Sequence, residues 1–169
     1  GYGPAVPSVF LRLPGGLDLA KGSAAVSLRY LNVDEALELL PPVHDQACTM
    51  VVGHLGRSPA WWRGRVFQEE PTEGASNLRP VVAERAGSAC GYALFRQVRH
   101  RDRQSDSAVV LEELVAVDED SRRALWHLVT NVDLYPNLTW WNCPIDEPMF
   151  DEVARYRRVE RLVRDSLWV

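Results

Sequence analysis

Apolar positions along the chain switch between a period of two and a period near 3.6, and the switches divide it into elements. Ser8-Val9-Phe10-Leu11-Arg12-Leu13 alternates in part and is bounded by Pro7 and Pro14-Gly15-Gly16. That pattern predicts a strand and then a flexible connector running through Gly22-Ser23. Val26 to Tyr30 predicts a second strand. Asn32 is placed to cap a helix whose first turn carries Val33-Asp34-Glu35, acids that the N-terminal dipole favours. Ala36, Leu37, Leu39, Leu40 and Val43 recur at helical spacing, and Pro41-Pro42 are expected to interrupt or kink that helix. Ser58-Pro59 marks a second helix start, followed by Trp61, Trp62, Arg65 and Val66.

From Leu78 the pattern becomes extended. Leu78–Val82, Cys90–Val98 and Ala108–Val117 predict three strands with connections short enough for an antiparallel meander. A helix follows from about Glu119 to Val132, with Ala124, Leu125, Leu128, Val129 and Val132 on one face. Leu138–Asn142 predicts a strand on which Trp140 and Trp141 must face opposite ways. Pro148–Ala154 predicts a short helix, and Val159–Val163 with Leu167–Val169 a closing hairpin. The fold class expected is therefore α+β, a mixed and mostly antiparallel sheet flanked by helices.

Composition changes this picture little. The 169 residues are 46% hydrophobic and 25% charged, as in ordinary globular domains, and no apolar run reaches the length of a spanning helix. A formal charge of -4 with scattered arginines leaves no basic stripe, so neither nucleic acid nor a membrane is expected as a partner. One lysine among nineteen basic residues is the signature of a GC-rich, bacterial genome. Cys48, Cys90 and Cys143 are widely spaced with no CxxC pair, which fits reduced thiols in the cytoplasm and no zinc ribbon. His44, His54, His100 and His127 lack ligands at useful spacing, so no metal is expected. No Gly-x-Ser-x-Gly elbow or Walker loop gives hydrolase or nucleotidase chemistry a foothold.

Several stretches together carry a family likeness. They are Gly1-Tyr2-Gly3-Pro4-Ala5, Arg57-Ser58-Pro59-Ala60-Trp61-Trp62, Gly91-Tyr92-Ala93-Leu94-Phe95-Arg96, Glu113-Leu114-Val115-Ala116-Val117, Ala124-Leu125-Trp126 with Asp133, Asp146-Glu147-Pro148, and Asp165-Ser166-Leu167-Trp168-Val169. In this order they resemble the Eis-like (enhanced intracellular survival) N-acetyltransferases, which join a GNAT domain, a second and degenerate GNAT domain, and a sterol-carrier-like domain. The resemblance implies a GNAT-like (acyl-CoA N-acyltransferase) fold. It divides the chain into 1–24, the last strand of a preceding domain with its linker, and 25–169, the second GNAT-like domain, cut before the sterol-carrier-like one.

The same resemblance sets expectations about chemistry. The family transfers acetyl from acetyl-CoA to aminoglycosides and other amines and assembles as hexamers, so a homo-oligomer is expected. Its general-acid tyrosine precedes the GYGPA tail, its acetyl-CoA loop lies in the first domain, and its base is the C-terminal carboxylate of the complete chain. No catalytic or cofactor-binding residue is therefore expected in this segment, and Tyr2 is not promoted to the missing acid. Trp62 and Asp165 match positions at the family's substrate cleft and are the expected substrate-binding residues, an aromatic face and a carboxylate for a cationic amine. Core packing for Trp62 and a turn for Asp165 are the plainer alternatives.

The family's phosphate turn, Arg-x-x-Gly-x-Gly/Ala, falls at Val117-Asp118-Glu119-Asp120-Ser121-Arg122-Arg123-Ala124-Leu125, where the glycines are missing. Three carboxylates stand there, each worth roughly 4 kcal/mol of repulsion toward an anion at ~4 Å and an effective dielectric of about 20. The turn is expected to repel CoA, and its acids otherwise serve as an ordinary acidic helix start. Two other readings stand beside this one: a self-sufficient small-molecule N-acetyltransferase, and a non-catalytic interaction module.

Overall fold

A computed structural model describes residues 4–19, 22–50, 55–68, 74–100, 102–153 and 159–168. Gly1, Tyr2, Gly3, His54 and Val169 lie outside the described residues. The strands are β1 (Pro4–Pro14), β2 (Val26–Tyr30), β3 (Arg79–Arg85), β4 (Ser88–Val98), β5 (Ala108–Ala116), β6 (Asn137–Pro144) and β7 (Glu160–Trp168). The helices are α1 (Val33–Cys48), α2 (Pro59–Trp61, widening into a π-helical turn over Trp62–Val66), α3 (Glu119–Thr130) and α4 (Met149–Val153).

All seven strands share one sheet, in the order β2-β3-β4-β5-β6-β1-β7. The expected meander is present: β3, β4 and β5 pair antiparallel, and β2 adds to the β3 edge. The β3–β4 turn closes on Ala86 and Gly87, both with positive φ (50° and 80°), the conformation a two-residue hairpin requires. The β4–β5 ladder is irregular between Leu94 and Phe95, so Glu112 bulges out of β5. β5 and β6 run parallel from Ala108↔Asn137 to Leu111↔Trp140, where their ladder ends although both strands continue.

Three expectations need correction. Residues 159–168 do not form a hairpin: β7 stays extended and pairs along β1 from Arg12↔Glu160 to Pro4↔Trp168, because β1 offers a continuous backbone partner. α1 is not broken at Pro41-Pro42. The carbonyls of Leu37 and Glu38 lose their donors there, but this stretch borders solvent, while Leu40, Val43 and His44 stay buried and hold the helix on the sheet. The connector after β1 is packed as well: Leu17 and Leu19 are buried, and Gly15 and Gly16 donate to the carbonyls of Pro136 and Thr130 at 2.8 and 2.7 Å. Residues 4–14, the strand expected to close a preceding domain, are hydrogen-bonded into this same sheet between β6 and the edge strand β7.

Each sheet face carries its own core. α3, α4 and the buried connector residues cover one face, where Leu11, Leu13, Phe95, Leu111, Leu125, Trp126 and Trp140 meet. α1 and α2 cover the other around Leu40, Val43, Trp62, Phe67, Tyr92 and Leu94. The helix starts follow local chemistry. Asn32 and Glu35 form a reciprocal capping box at 2.9 Å in both directions. Ser58 Oγ accepts from the Trp61 amide, and Asp118 caps α3 by accepting from the Ser121 amide at 2.9 Å.

Asp118 also accepts from the Ser121 hydroxyl and from Arg85 at 3.1 Å. Burial opposes its ionisation, but these donors outweigh burial and hold the carboxyl below the usual aspartate range. A depressed acid stabilises the fold above its unfolded pKa and loses that contribution as pH falls through the folded value. Asp118→Ala is expected to cost about 1 kcal/mol at neutral pH. Urea midpoints of the variant and the wild type should converge as the solution is acidified below the aspartate range.

Candidate functional site

A cavity of about 590 Å³ opens on the α1/α2 face between α2, β4, β5 and Trp141 of β6. Its floor is apolar, built from Leu78, Leu94, Val98 and Val110. Because β5 bulges at Glu112, the consecutive residues Glu112 and Glu113 both line it, instead of facing opposite ways as strand neighbours do. Trp61 (53% exposed) and Trp141 (56% exposed) stand on its walls. A second depression, about 480 Å³ around Gly15, Asn131 and Pro136, is shallow and open and offers only Asp133 and Tyr135 as titratable groups.

One ion pair fixes the cleft. Arg57 donates to both oxygens of Glu113 at 2.8 and 2.6 Å, and the Tyr92 hydroxyl donates to Glu113 at 2.9 Å. Burial and then Glu113 push the Tyr92 hydroxyl well above its ordinary range, so it remains a neutral donor. Burial works against the Arg57 charge, but Glu113 more than offsets it and the guanidinium is firmly protonated. Arg57 also lies 5.1 Å over the Trp62 ring. Burial and then Arg57 push His44, behind Trp62, toward its neutral form.

The expected site residues fall in different places. Trp62 is 1% exposed and packs on His44, Phe67 and Tyr92 at ring distances of 5.6, 6.3 and 6.2 Å. It touches the cleft through Arg57, and its Nε1 has no hydrogen-bond partner among the described residues. Trp61, one residue earlier, is the tryptophan on the cleft wall. Asp165 is exposed on β7 opposite Pro7 and does not line the cleft. Trp140 and Trp141 do face opposite ways, Trp140 onto Trp126 at 5.8 Å and Trp141 into the cleft. His44 and Cys48 meet at 3.4 Å, with no group of three metal-ligand side chains among the described residues.

On the opposite face the first turn of α3 is closed upon itself. Arg85 bridges Asp118 and Asp120 at 3.1 and 3.3 Å. Arg122 donates to Glu147 at 2.9 Å, and Arg123 lies 3.0 Å from Glu119 and 3.4 Å from Glu152. Glu147, with a side chain 1% exposed, also accepts from the Trp126 indole at 3.0 Å and from the Met149 amide. Burial raises the Glu147 carboxyl, with Arg122 and Trp126 opposing. The connector crosses this turn: a Cβ on Gly22 would come within 2.2 Å of the Asp120 carbonyl oxygen. The cavity left among Leu19, Arg122, Trp126 and Met149 is about 10 Å³, roughly room for a single water.

A family model for the acetyltransferase (GNAT) domain matches residues 53–164. The chain belongs to the GNAT acetyltransferases. It is 32% identical, over 100% of its length and 42% of the relative's, to an uncharacterized N-acetyltransferase of Streptomyces coelicolor. It is 34% identical to an uncharacterized N-acetyltransferase of Streptomyces avermitilis, over 90% of the chain and 38% of that protein. The chain thus spans about two fifths of these relatives. Among solved structures, Eis1 of Mycobacterium abscessus matches with a TM-score of 0.73 at 24% identity, over 99% of this chain and 42% of that one. A GCN5-related N-acetyltransferase of Anabaena variabilis matches with a TM-score of 0.73 at 18% identity, over 99% and 40%. These likenesses carry the fold: the seven-stranded mixed sheet with flanking helices is the GNAT fold, as the family resemblance implied. GNAT domains use acetyl-CoA as co-substrate.

The sequence reading passed over Arg57, Glu112 and Trp141 as cleft residues. Two adjacent glutamates inside the apolar run Val109-Val110-Leu111-Glu112-Glu113-Leu114-Val115 break the strand period, and that break was the available signal of a bulge. Arg57→Ala should leave a part-buried Glu113 without its counter-charge and cost about 1–3 kcal/mol. Urea unfolding of Arg57→Ala, Glu113→Gln and the double variant checks this, with the double variant expected to lose less than the two singles combined.

Proposed function

We propose that this chain is the second, degenerate GNAT domain of an Eis-like amine N-acetyltransferase, supplying part of the acceptor cleft while acetyl-CoA binds elsewhere in the whole protein. The observation that carries the reading is the closed first turn of α3. In the GNAT arrangement a diphosphate lies against that turn, where backbone amides and arginines meet it. Here the Ser121 amide is taken by Asp118, Arg85, Arg122 and Arg123 face carboxylates, and the connector at Gly22 lies on the turn. The residues present do not fit a diphosphate, and about 10 Å³ of space does not fit a pantetheine arm.

The acceptor side is open and aromatic, which suits an amine. Aminoglycosides and other cationic amines are the acceptors that the Eis-like resemblance implies. Trp62 serves this cleft from behind as the ring beneath Arg57, and Asp165, an exposed carboxylate outside the described cleft, is the acid that the Eis-like resemblance assigns to the acceptor. A cytoplasmic homo-oligomer, hexameric as in the family, belongs to the same proposal.

Calorimetric titration of the 169-residue chain with acetyl-CoA is expected to show no saturable heat. Micromolar binding would instead make it a self-sufficient acetyltransferase. In the whole protein, Asp165→Asn is expected to raise the KM for kanamycin severalfold, and Trp62→Phe to raise it less. Unchanged constants in both variants would remove the cleft role and leave an interaction module.

A further inference from the structure

The two carboxylates that the β5 bulge delivers to the cleft are in different circumstances. Glu113 is saturated by two guanidinium bonds and a tyrosine hydroxyl. Glu112 is not: the nearest Arg96 nitrogen, Nε, stands off at 3.7 Å, beyond hydrogen-bond length, and Arg96 Nη1 donates to the Ser76 carbonyl. Burial raises the Glu112 carboxyl above its ordinary range, and Arg96 and the neighbouring Trp141 offset it only in part. A half-buried carboxylate whose lost hydration is incompletely replaced gains from any cation brought to it.

Its surroundings define which cation. Trp141 and Trp61 line the same cavity as Glu112, two exposed indoles that attract a cation through their faces and an apolar body through their area. The apolar floor of Leu94 and Val110 extends this surface. Beyond Glu112 the described lining offers no second available carboxylate, because Glu113 is taken by Arg57, and the other charged groups there are Arg65 and Arg96. One ammonium finds a carboxylate here. A second or third meets a guanidinium.

We propose that Glu112, flanked by Trp141 and Trp61, seats a single ammonium group, so that the cleft selects monocationic amines with an apolar or aromatic body over polycationic amino sugars. This rests on the cleft being the acceptor site and narrows the class of acceptor.

Two arms test it. In the first, quenching of tryptophan fluorescence of the protein is titrated with phenethylamine, with its neutral counterpart 2-phenylethanol, and with kanamycin. Phenethylamine is expected to bind at least tenfold more tightly than either. Glu112→Gln should weaken phenethylamine at least tenfold and leave 2-phenylethanol within twofold, whereas Trp141→Ala should weaken both. Equal affinity for amine and alcohol, or a Glu112→Gln variant within twofold of wild type for the amine, overturns the ammonium seat. In the second arm acetyl transfer by the whole protein is followed, with Glu112→Gln expected to raise the KM for phenethylamine tenfold at little cost in kcat. A higher kcat/KM for kanamycin than for phenethylamine overturns the selectivity while the acceptor reading stands. Failure to acetylate any amine removes the proposed function, and the fluorescence arm still decides the ammonium seat.

Discussion

The fold turns on a ladder that stops early. β5 and β6 are joined by only four residue pairs, ending at Leu111↔Trp140, yet β5 continues to Ala116 and β6 to Pro144. Beyond that point the two backbones no longer satisfy each other, and side chains must manage the gap on each face. The two faces manage it in opposite ways. On the α3 face Trp126 covers Trp140 and donates to Glu147, which Arg122 holds in turn. On the α1/α2 face the bulge at Glu112 replaces an apolar contact with a carboxylate and leaves a cavity open. One side of the gap is sealed and the other is available, and every functional statement about the chain descends from that asymmetry.

The seal is held by charge as much as by packing. A buried carboxylate such as Glu147 is costly unless paired, and breaking such a pair leaves an uncompensated charge in an apolar setting. Arg122 therefore has an internal partner that a solvent-borne anion cannot easily displace. The same holds one turn earlier, where Arg85 neutralises Asp118 and Asp120. The acids that read in the sequence as a repulsive cluster are thus largely neutralised in the fold. The turn's donors are consumed by internal partners, and the connector lies across it.

Local chemistry was legible and long-range chemistry was not. The Asn32 capping box, the Ser58 cap, the β3–β4 turn and the opposed Trp140 and Trp141 are set by residues within four positions of one another, and the pattern announces them. β7 was misread because the choice between a hairpin and a single strand depends on β1, some 150 residues earlier in the chain. Leu17 and Leu19 looked like linker residues because nothing near them declares what they pack against. The cleft is a case of the same kind: Arg57, Tyr92 and Glu113 come from three elements, and no spacing rule connects them.

The adjacent tryptophans of α2 show how one local distortion divides two roles. After Ser58 and Pro59 set the helix, the chain widens to a π turn closed by the Phe67 amide on the Trp62 carbonyl at 3.0 Å, a form often found at functional sites. Trp62 is thereby in the core and Trp61 on the cleft wall. The family likeness names Trp62, the buried member of the pair. Physically the buried ring supports the charges at the cleft: Trp62 carries Arg57 on its face, Arg57 holds both oxygens of Glu113, and the bulged neighbour Glu112 faces Arg96 at the longer distance of 3.7 Å.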